Sequence, residues 1–149
     1  MTSAYVDTSA LAKRYLREPG SAEFDRWFID AVPVDVSVLA TVELSSTLRK
    51  CQRSDRLSAN DVLAIEAVFA ADLDAGCIRI LDMPPGVFHV AKTLVASHAV
   101  HGLRTLDALQ LAAALESGAS TFVTADGKLA GAAAASGLHV LSFGQPAQP

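Results

Sequence analysis

The sequence predicts an α/β domain in which helices cover a parallel β-sheet. Short segments rich in β-branched residues alternate with longer segments whose apolar residues recur every three or four positions, the spacing of a buried helix face. Strands that are separated by helices pair in parallel through crossover connections. The 149 residues are 51% apolar and 19% charged, which is enough apolar material for one buried core.

Five segments are predicted to be strands because they are short and β-branched. They are AYVD from Ala4, VDVSV from Val34, CIRIL from Cys77, TFVT from Thr121 and LHVL from Leu138. Six segments with helical spacing lie among them, at 9–17, 21–29, 41–53, 58–75, 87–99 and 105–116. Two of these helices have predicted N-caps, Ser58 with Asp61 three residues later, and Thr105 before a leucine-rich run.

The predicted domain covers residues 1–143, and residues 144–149 are expected to form a short polar tail. Every long apolar stretch is interrupted before the roughly 18 residues that a membrane helix needs, so no membrane partner is expected. The N-terminus carries Asp7 and places its basic residues after the apolar part, the reverse of a secretory signal. A cytoplasmic location is therefore expected.

Four acids are predicted to gather at one edge of the sheet. Parallel strands end where the following helices begin, and open α/β folds place their sites at that edge. Asp7 closes the first strand, and Asp126 follows the strand TFVT. Glu43 and Asp107 are each expected in the first turn of a helix, after the second strand and at Thr105 respectively.

Such a cluster needs a compensating charge. Two carboxylates about 4 Å apart repel by roughly 4 kcal/mol at an effective dielectric constant of about 20. Oxygen ligands favour Mg²⁺ or Mn²⁺ over Zn²⁺, and such ions serve phosphoryl transfer and phosphodiester hydrolysis. The net charge of −4 argues against a protein that holds nucleic acid by a broad cationic surface, so the repulsion of a polyanionic substrate would need to be offset, for example by bound cations. Glu43, Asp107 and Asp126 taken singly could each be a helix cap or dipole partner. Asp7 ends a buried strand and has few structural reasons to be there apart from an Asx-turn. The signal lies in the four together.

The four acids lie in segments whose order and spacing agree with one known family. The segments are YVDTSALAKRYLREPGS, VLATVELSSTLRK, LRTLDALQLAAAL and TFVTADGKLAGAAAASGL, from about Tyr5 to Leu141. Together they resemble PIN-domain ribonucleases, in the version found in VapC-type toxins of type II toxin–antitoxin systems. The resemblance implies a three-layer α/β/α domain with a central parallel sheet of about five strands in the order 3-2-1-4-5.

The resemblance also implies roles for individual residues. Asp7, Glu43, Asp107 and Asp126 are the implied catalytic acids. Asp7, Asp107 and Asp126 would hold Mg²⁺ or Mn²⁺, and Glu43 would orient or deprotonate the attacking water. Supporting hydroxyls are implied at Thr8, Ser9 and Thr124. Arg104 lies just before the helix of Asp107 and is a candidate phosphate contact.

The implied activity is that of a metal-dependent endoribonuclease that acts as a toxin. Attack by water on phosphorus would leave a 5′-phosphate and a 3′-hydroxyl. The implied partners are a cognate VapB-type antitoxin, an RNA substrate and a second copy of the chain in a homodimer.

Other interpretations differ in what they require of the sequence. A catalytically silent PIN-fold module that binds RNA or a protein partner is the alternative from another class, and metal-dependent RNA cleavage separates it from a nuclease. A haloacid-dehalogenase-like phosphatase needs an acid two residues after Asp7, where Ser9 stands. A phosphoacceptor receiver domain could use Thr124 and Lys128 but needs an Asp at the end of its middle strand, and VDVSV ends in Val38.

Two further groups have both an ordinary and a functional interpretation. The run RKCQRSDR from Arg49 is either a solvated helix end or a surface that steers RNA. His98 and His101 lie three residues apart, but no third ligand is spaced nearby. We therefore expect them to be surface or helix-end histidines and not a metal site.

Overall fold

The computed structural model describes residues 3–144 and confirms the α/β fold class. The strands are β1 (Ala4–Val6), β2 (Val34–Ser37), β3 (Ile78–Leu81), β4 (Thr121–Thr124) and β5 (His139–Ser142). The α-helices are α1 (Thr8–Tyr15), α2 (Ser21–Ala31), α3 (Val38–Arg53), α4 (Ala59–Asp74), α5 (Pro85–Ser97), α6 (Thr105–Glu116) and α7 (Gly127–Ala135). One short 3₁₀ turn covers Ala99–His101.

The strands form one parallel sheet in the order β3-β2-β1-β4-β5, which confirms the predicted topology. Tyr5 at the centre of β1 lies opposite Asp35 of β2 and Phe122 of β4. Because β1 is the central strand and both its neighbours are parallel to it, its carboxyl end lies where the strand order reverses. Ligand sites in open parallel sheets occupy this position.

Two apolar layers cover the sheet. Successive residues of a strand point to opposite faces, so Val6 packs with α1, α2, α3 and α4, while Tyr5 packs with α5, α6 and α7. Both side chains are fully buried, and burial of a side chain of this kind contributes about 1.5–3 kcal/mol. The three-layer α/β/α arrangement is therefore as predicted.

Helix α1 is also tied to α4 by a partly buried ion pair. Arg14 donates from Nε and Nη2 to the two oxygens of Asp72, both at 2.7 Å, and the Tyr15 hydroxyl donates to Asp72 Oδ2 at 2.7 Å. Burial opposes the ionisation of Asp72, but the bonds from Arg14 and Tyr15 hold the pKa of its carboxyl below the usual range. The C-terminal end of helix α1, whose N-cap is Asp7, is thereby held against α4.

Several helix boundaries differ from those predicted. Helix α3 begins at Val38, directly after β2, so the last residue of VDVSV is helical and Glu43 lies in the second turn and not in the first. Thr105 is the first residue of α6 and not its N-cap, a position held by Arg104 without a side-chain bond to the helix. The capping box of Ser58 and Asp61 is confirmed.

Helix α7 was not among the predicted helices. Its sequence, GKLAGAAAA, offers few large apolar residues, so it lacks the stripe that marks the other helices. Alanine has the highest intrinsic helix propensity, and the Asp126 carboxylate caps the helix at its start, which together stabilise it without such a stripe.

Of the predicted tail, Gly144 is described, and residues 145–149 lie outside the described residues. Within residues 3–144 no helix has the length and apolar character to cross a membrane. The cytoplasmic location stays a prediction.

Candidate active site

One cavity of about 480 Å³ opens at the carboxyl end of β1 and β4. All four predicted acids line it: Asp7, Glu43, Asp107 and Asp126. Three of the other predicted site residues line it as well, namely Thr8, Ser9 and Arg104. The remaining one, Thr124, is fully buried and lies behind Asp7, to which it donates a hydrogen bond. The fold therefore brings the predicted site residues to one place.

Asp7 is the most buried of the four acids, with 2% of its surface exposed. Its Oδ1 accepts from the Ser9 hydroxyl at 2.7 Å and from the Ala10 amide at 3.0 Å, which caps α1. Its Oδ2 accepts from the Thr124 hydroxyl at 2.6 Å. Burial raises the pKa of the Asp7 carboxyl to about 6, an effect that these hydrogen bonds reduce and the charge of Asp126 increases.

The supporting hydroxyls connect Asp7 to the turn between β4 and α7. Ser9 Oγ donates to Asp7 and accepts from the Ala125 amide at 2.9 Å. Thr124 Oγ1 also donates to Asp7 and accepts from the Asp126 amide at 3.0 Å. Each hydroxyl therefore bridges the Asp7 carboxylate and the backbone at or next to Asp126. These bridges fix the position of Asp126 relative to Asp7.

Asp126 is half-buried and serves as the N-cap of α7. Its Oδ1 accepts from the amides of Lys128 at 2.9 Å and Leu129 at 3.1 Å. Oδ2 has no hydrogen-bond partner among residues 3–144 and remains able to bind a ligand. Capping and ligand binding are thus compatible in this residue, because they use different oxygens.

Glu43 is half-buried on α3 and is held through one oxygen. Its Oε1 accepts from the Thr8 hydroxyl at 2.9 Å and from Gln110 Nε2 at 2.6 Å. Gln110 was not among the predicted site residues. The signal that could have identified it is its position, because it lies one helical turn after Asp107 and is a polar residue within the apolar run LQLAAAL.

Asp107 lies in the first turn of α6, as predicted, and is half-buried. Arg104 Nε donates to its Oδ2 at 3.3 Å, with 79% of the Arg104 side chain exposed. An ion pair as exposed as this contributes little to stability, about 0–1 kcal/mol, so the arginine can leave Asp107 at low cost.

A lysine that the sequence analysis did not assign to the site also lines the cavity. Lys13 is 7% exposed, and its Nζ donates to the Pro19 carbonyl at 2.8 Å and lies 3.8 Å from Glu18 Oε1. Gly20 closes this turn with φ +91°, and a Cβ there would lie 2.1 Å from the Phe143 carbonyl oxygen, so the turn requires glycine. The acidic cavity therefore also contains a fixed positive charge.

The donor atoms of the cavity suit a hard cation, since the acids and hydroxyls offer oxygen ligands. Within the described residues, however, no three His, Cys, Asp or Glu side chains lie close enough together to hold one ion. The acids are spread because each has its own local partner, such as Arg104 for Asp107 and Gln110 for Glu43. This arrangement fits Mg²⁺, which keeps several waters and takes one or two carboxylates directly.

The basic run and the histidines lie away from the cavity. No residue of RKCQRSDR is among its lining residues, and Arg49 pairs with Glu66 at 3.2 Å. His98 is buried, and its ring lies 5.8 Å from that of His101. Neither histidine lines the cavity.

The Asp7 carboxylate predicts a specific dependence of stability on pH. Its pKa rises from 3.8 to about 6 on folding, so the folded chain binds a proton more tightly than the unfolded chain. Stability without metal is therefore lost as the pH rises from about 4 to about 6, by up to roughly 3 kcal/mol. We expect Asp7→Asn to stabilise the fold above pH 6, with little difference at pH 4.

Urea unfolding in EDTA at pH 4 and pH 7.5 measures this effect. Asp30→Asn, at an exposed position of α2, is the matched control and should leave stability unchanged at both values. If Asp7→Asn raised the free energy of unfolding equally at both pH values, the raised pKa of the Asp7 carboxyl would be contradicted.

Comparison with solved structures shows the same fold in several proteins. VapC20 from Mycobacterium tuberculosis, a toxin that cleaves the sarcin-ricin loop, has a TM-score of 0.69 at 19% identity, with 91% of this chain and 96% of that chain covered. FitAcB from Neisseria gonorrhoeae has a TM-score of 0.65 at 18% identity, with 94% of this chain and 97% of that chain covered. VapBC2 from Rickettsia felis, bound to DNA from its promoter, has a TM-score of 0.66 at 15% identity, with 93% of this chain and 98% of that chain covered.

Comparisons by sequence give the family. No curated protein matches the chain significantly. The family model of the PIN domain matches residues 4–135, which include all four acids and most of the chain. The resemblance of the four segments to PIN proteins is thereby confirmed. The chain belongs to the PIN domain family.

Proposed function

We propose that this chain is a metal-dependent ribonuclease and acts as the toxin of a VapBC-type toxin–antitoxin pair. The observation that carries the proposal is the single cavity that collects Asp7, Glu43, Asp107 and Asp126 at the end of the central strand. Membership of the PIN family supports a nuclease. The likeness to VapC20, a toxin that cleaves an RNA loop, supports RNA as the substrate.

We propose that Asp7 and Asp107 hold Mg²⁺ or Mn²⁺, with Asp126 as a direct or water-mediated ligand through Oδ2. A bound ion of this kind supplies positive charge that polarises the phosphate and makes a nearby water more acidic. The buried Asp7 carboxylate gains more than an exposed acid from such an ion, because burial makes its charge costly.

Glu43 acts as the general base in this proposal. Thr8 and Gln110 hold Oε1, and Oε2 has no partner within residues 3–144, so Oε2 is the oxygen that accepts a proton from the attacking water. The water oxygen bonds to phosphorus as the bond to the 3′-oxygen breaks. The leaving 3′-oxygen takes a proton from solvent water, and the products are a 5′-phosphate and a 3′-hydroxyl.

The cations of the cavity offset the charge of the RNA backbone. Arg104 is exposed and weakly paired, so its guanidinium can move from Asp107 to a phosphate of the substrate. Lys13 is held in place by the Pro19 carbonyl and offers a fixed charge on the same cavity. Together they account for RNA binding by a chain whose net charge is negative.

We further propose a VapB-type antitoxin partner and a homodimer. FitAcB, VapBC2 and a toxin–antitoxin complex from Klebsiella pneumoniae, all with the same fold, support an antitoxin. Helices α3 and α4 leave a small groove of about 180 Å³ lined by Leu44, Leu48 and Phe69, and Val42 and Leu63 on these helices are 67% and 62% exposed. An antitoxin segment that covers this area would remove apolar surface from water. A toxin that cleaves RNA would act in the cytoplasm.

Replacement of Asp7 tests the proposed reaction. We expect Asp7→Asn to lower the rate of RNA cleavage by on the order of 10³-fold or more, because the variant loses a charged ligand while keeping the fold. EDTA should abolish cleavage by the wild type, and Mg²⁺ or Mn²⁺ should restore it. The measurement maps new 5′-phosphate ends in total RNA after brief expression in bacterial cells, followed by rates on the mapped substrate.

Asp30→Asn on α2 is the control for this experiment and should cleave like the wild type. Undiminished cleavage by Asp7→Asn, or by the wild type in EDTA, would refute the mechanism. RNA binding without any new 5′-phosphate ends would instead favour the catalytically silent binding module.

Arg104 is expected to contribute to binding of the RNA backbone. We expect Arg104→Ala to raise KM roughly 3- to 10-fold with little change in kcat, since it removes one charge-assisted contact of about 1 kcal/mol. The salt dependence of KM should also become shallower. Arg26→Ala is the control, because Arg26 is another exposed arginine in an i,i+3 ion pair, with Glu23 on α2. An equal change of KM in both variants would show that Arg104 acts only through net charge.

A further inference from the structure

Gln110 is a buried amide within the otherwise apolar inner face of α6, with 3% of its surface exposed. A buried amide costs free energy unless its donors and acceptor are bonded. Here its Nε2 donates to Glu43 Oε1 at 2.6 Å and to Thr8 Oγ1 at 2.9 Å, and its Oε1 accepts from the Tyr5 hydroxyl at 2.5 Å. The side chain therefore links the central strand to two residues of the cavity.

Tyr5 holds this amide in its orientation. Glu43 Oε1 and Thr8 Oγ1 accept from the Gln110 amino group, which leaves Gln110 Oε1 facing the Tyr5 hydroxyl. The Tyr5 hydroxyl donates to this oxygen and so holds the amide in that orientation. The Tyr5 ring stacks on Phe122 at 5.7 Å within the sheet core, which fixes the hydroxyl itself.

The contacts at Glu43 select one of its oxygens. Thr8 Oγ1 accepts from Gln110 and donates to Glu43 Oε1, so Glu43 Oε1 receives two hydrogen bonds from partners that are themselves bonded to each other. Oε2 receives none within residues 3–144. A glutamate side chain has three rotatable bonds, and fixing it in advance removes an entropic cost from the reaction.

We infer that Gln110 is a positioning residue for Glu43, oriented by Tyr5, and that the chain Tyr5–Gln110–Glu43 sets which carboxylate oxygen accepts the proton of water. This inference rests on the proposed role of Glu43 as general base. A merely structural Gln110 would tie α6 to β1 and α1, and its loss would affect stability without a specific relation to Glu43.

Kinetic double mutants distinguish these two roles. Gln110→Met keeps the length of the side chain and removes its donors and acceptor, and we expect kcat to fall roughly 10- to 100-fold with KM nearly unchanged. In a Glu43→Gln background the same substitution should cause no further loss, since the group that it positions is already absent. Tyr5→Phe removes only the hydroxyl and should lower kcat roughly 2- to 10-fold.

Gln110→Glu provides a conservative comparison. It keeps the acceptor for Tyr5 but removes both donors and places a second carboxyl beside Glu43. We therefore expect its kcat to remain low, as in Gln110→Met. Gln52→Met, at the other end of α3, is the control and should behave like the wild type. Thermal unfolding of each variant shows whether its loss of kcat reflects loss of fold.

A spectroscopic measurement tests the contacts without reference to activity. In ¹H–¹⁵N spectra, the side-chain amide of Gln110 should shift strongly in both Glu43→Gln and Tyr5→Phe, while the Gln52 amide stays unchanged. Full kcat in folded Gln110→Met, or a loss that adds to that of Glu43→Gln, would overturn the inference. Equal RNA cleavage by the wild type and Glu43→Gln would instead refute the proposed role of Glu43, and the amide shifts would still report whether the contacts exist.

Discussion

The fold places a carboxylate, Asp7, in an almost solvent-free position at the end of the central strand. Ionisation of a buried acid is unfavourable, and here three hydrogen bonds, from Ser9, Ala10 and Thr124, only partly offset that cost. The fold tolerates this cost because β1 is covered on both faces and paired on both edges. A well-packed core of this kind can hold one unfavourable group in a fixed place, and such groups are concentrated at functional sites.

Hydrogen bonds connect Asp7 and its neighbours to two of the other acids, Asp126 and Glu43. Ser9 and Thr124 connect Asp7 to the turn that carries Asp126, and Thr8, next to Asp7, connects it to Glu43. These links cross long separations along the chain, and each uses a hydroxyl that donates to one acid and accepts from a neighbouring backbone or side-chain group. The site is therefore organised by short polar bridges beneath the acids, while Asp107 and Glu43 each have a partner of their own in Arg104 and Gln110.

Much of this could be predicted from the sequence, because parallel strands and helices alternate and because strand ends and helix starts share one edge. The strand order came from the resemblance to PIN proteins and is confirmed. Boundaries were less accurate, since α3 continues from β2 without a loop and α7 depends on alanine propensity and not on an apolar stripe. The position of Gln110, a polar residue one turn after Asp107 in an apolar run, is visible in the sequence, but its contact with Tyr5 spans 105 positions and could not be predicted.

In the proposed mechanism the acidic cavity becomes a reactive site when a divalent cation occupies it. Anomalous diffraction from crystals soaked in Mn²⁺ detects whether an ion binds in this cavity. We expect manganese in the cavity within ligand distance of Asp7 or Asp107, and its loss from the cavity in Asp7→Asn. Manganese bound only elsewhere, for example at His98 and His101, with an empty cavity at saturating concentration, would contradict the account.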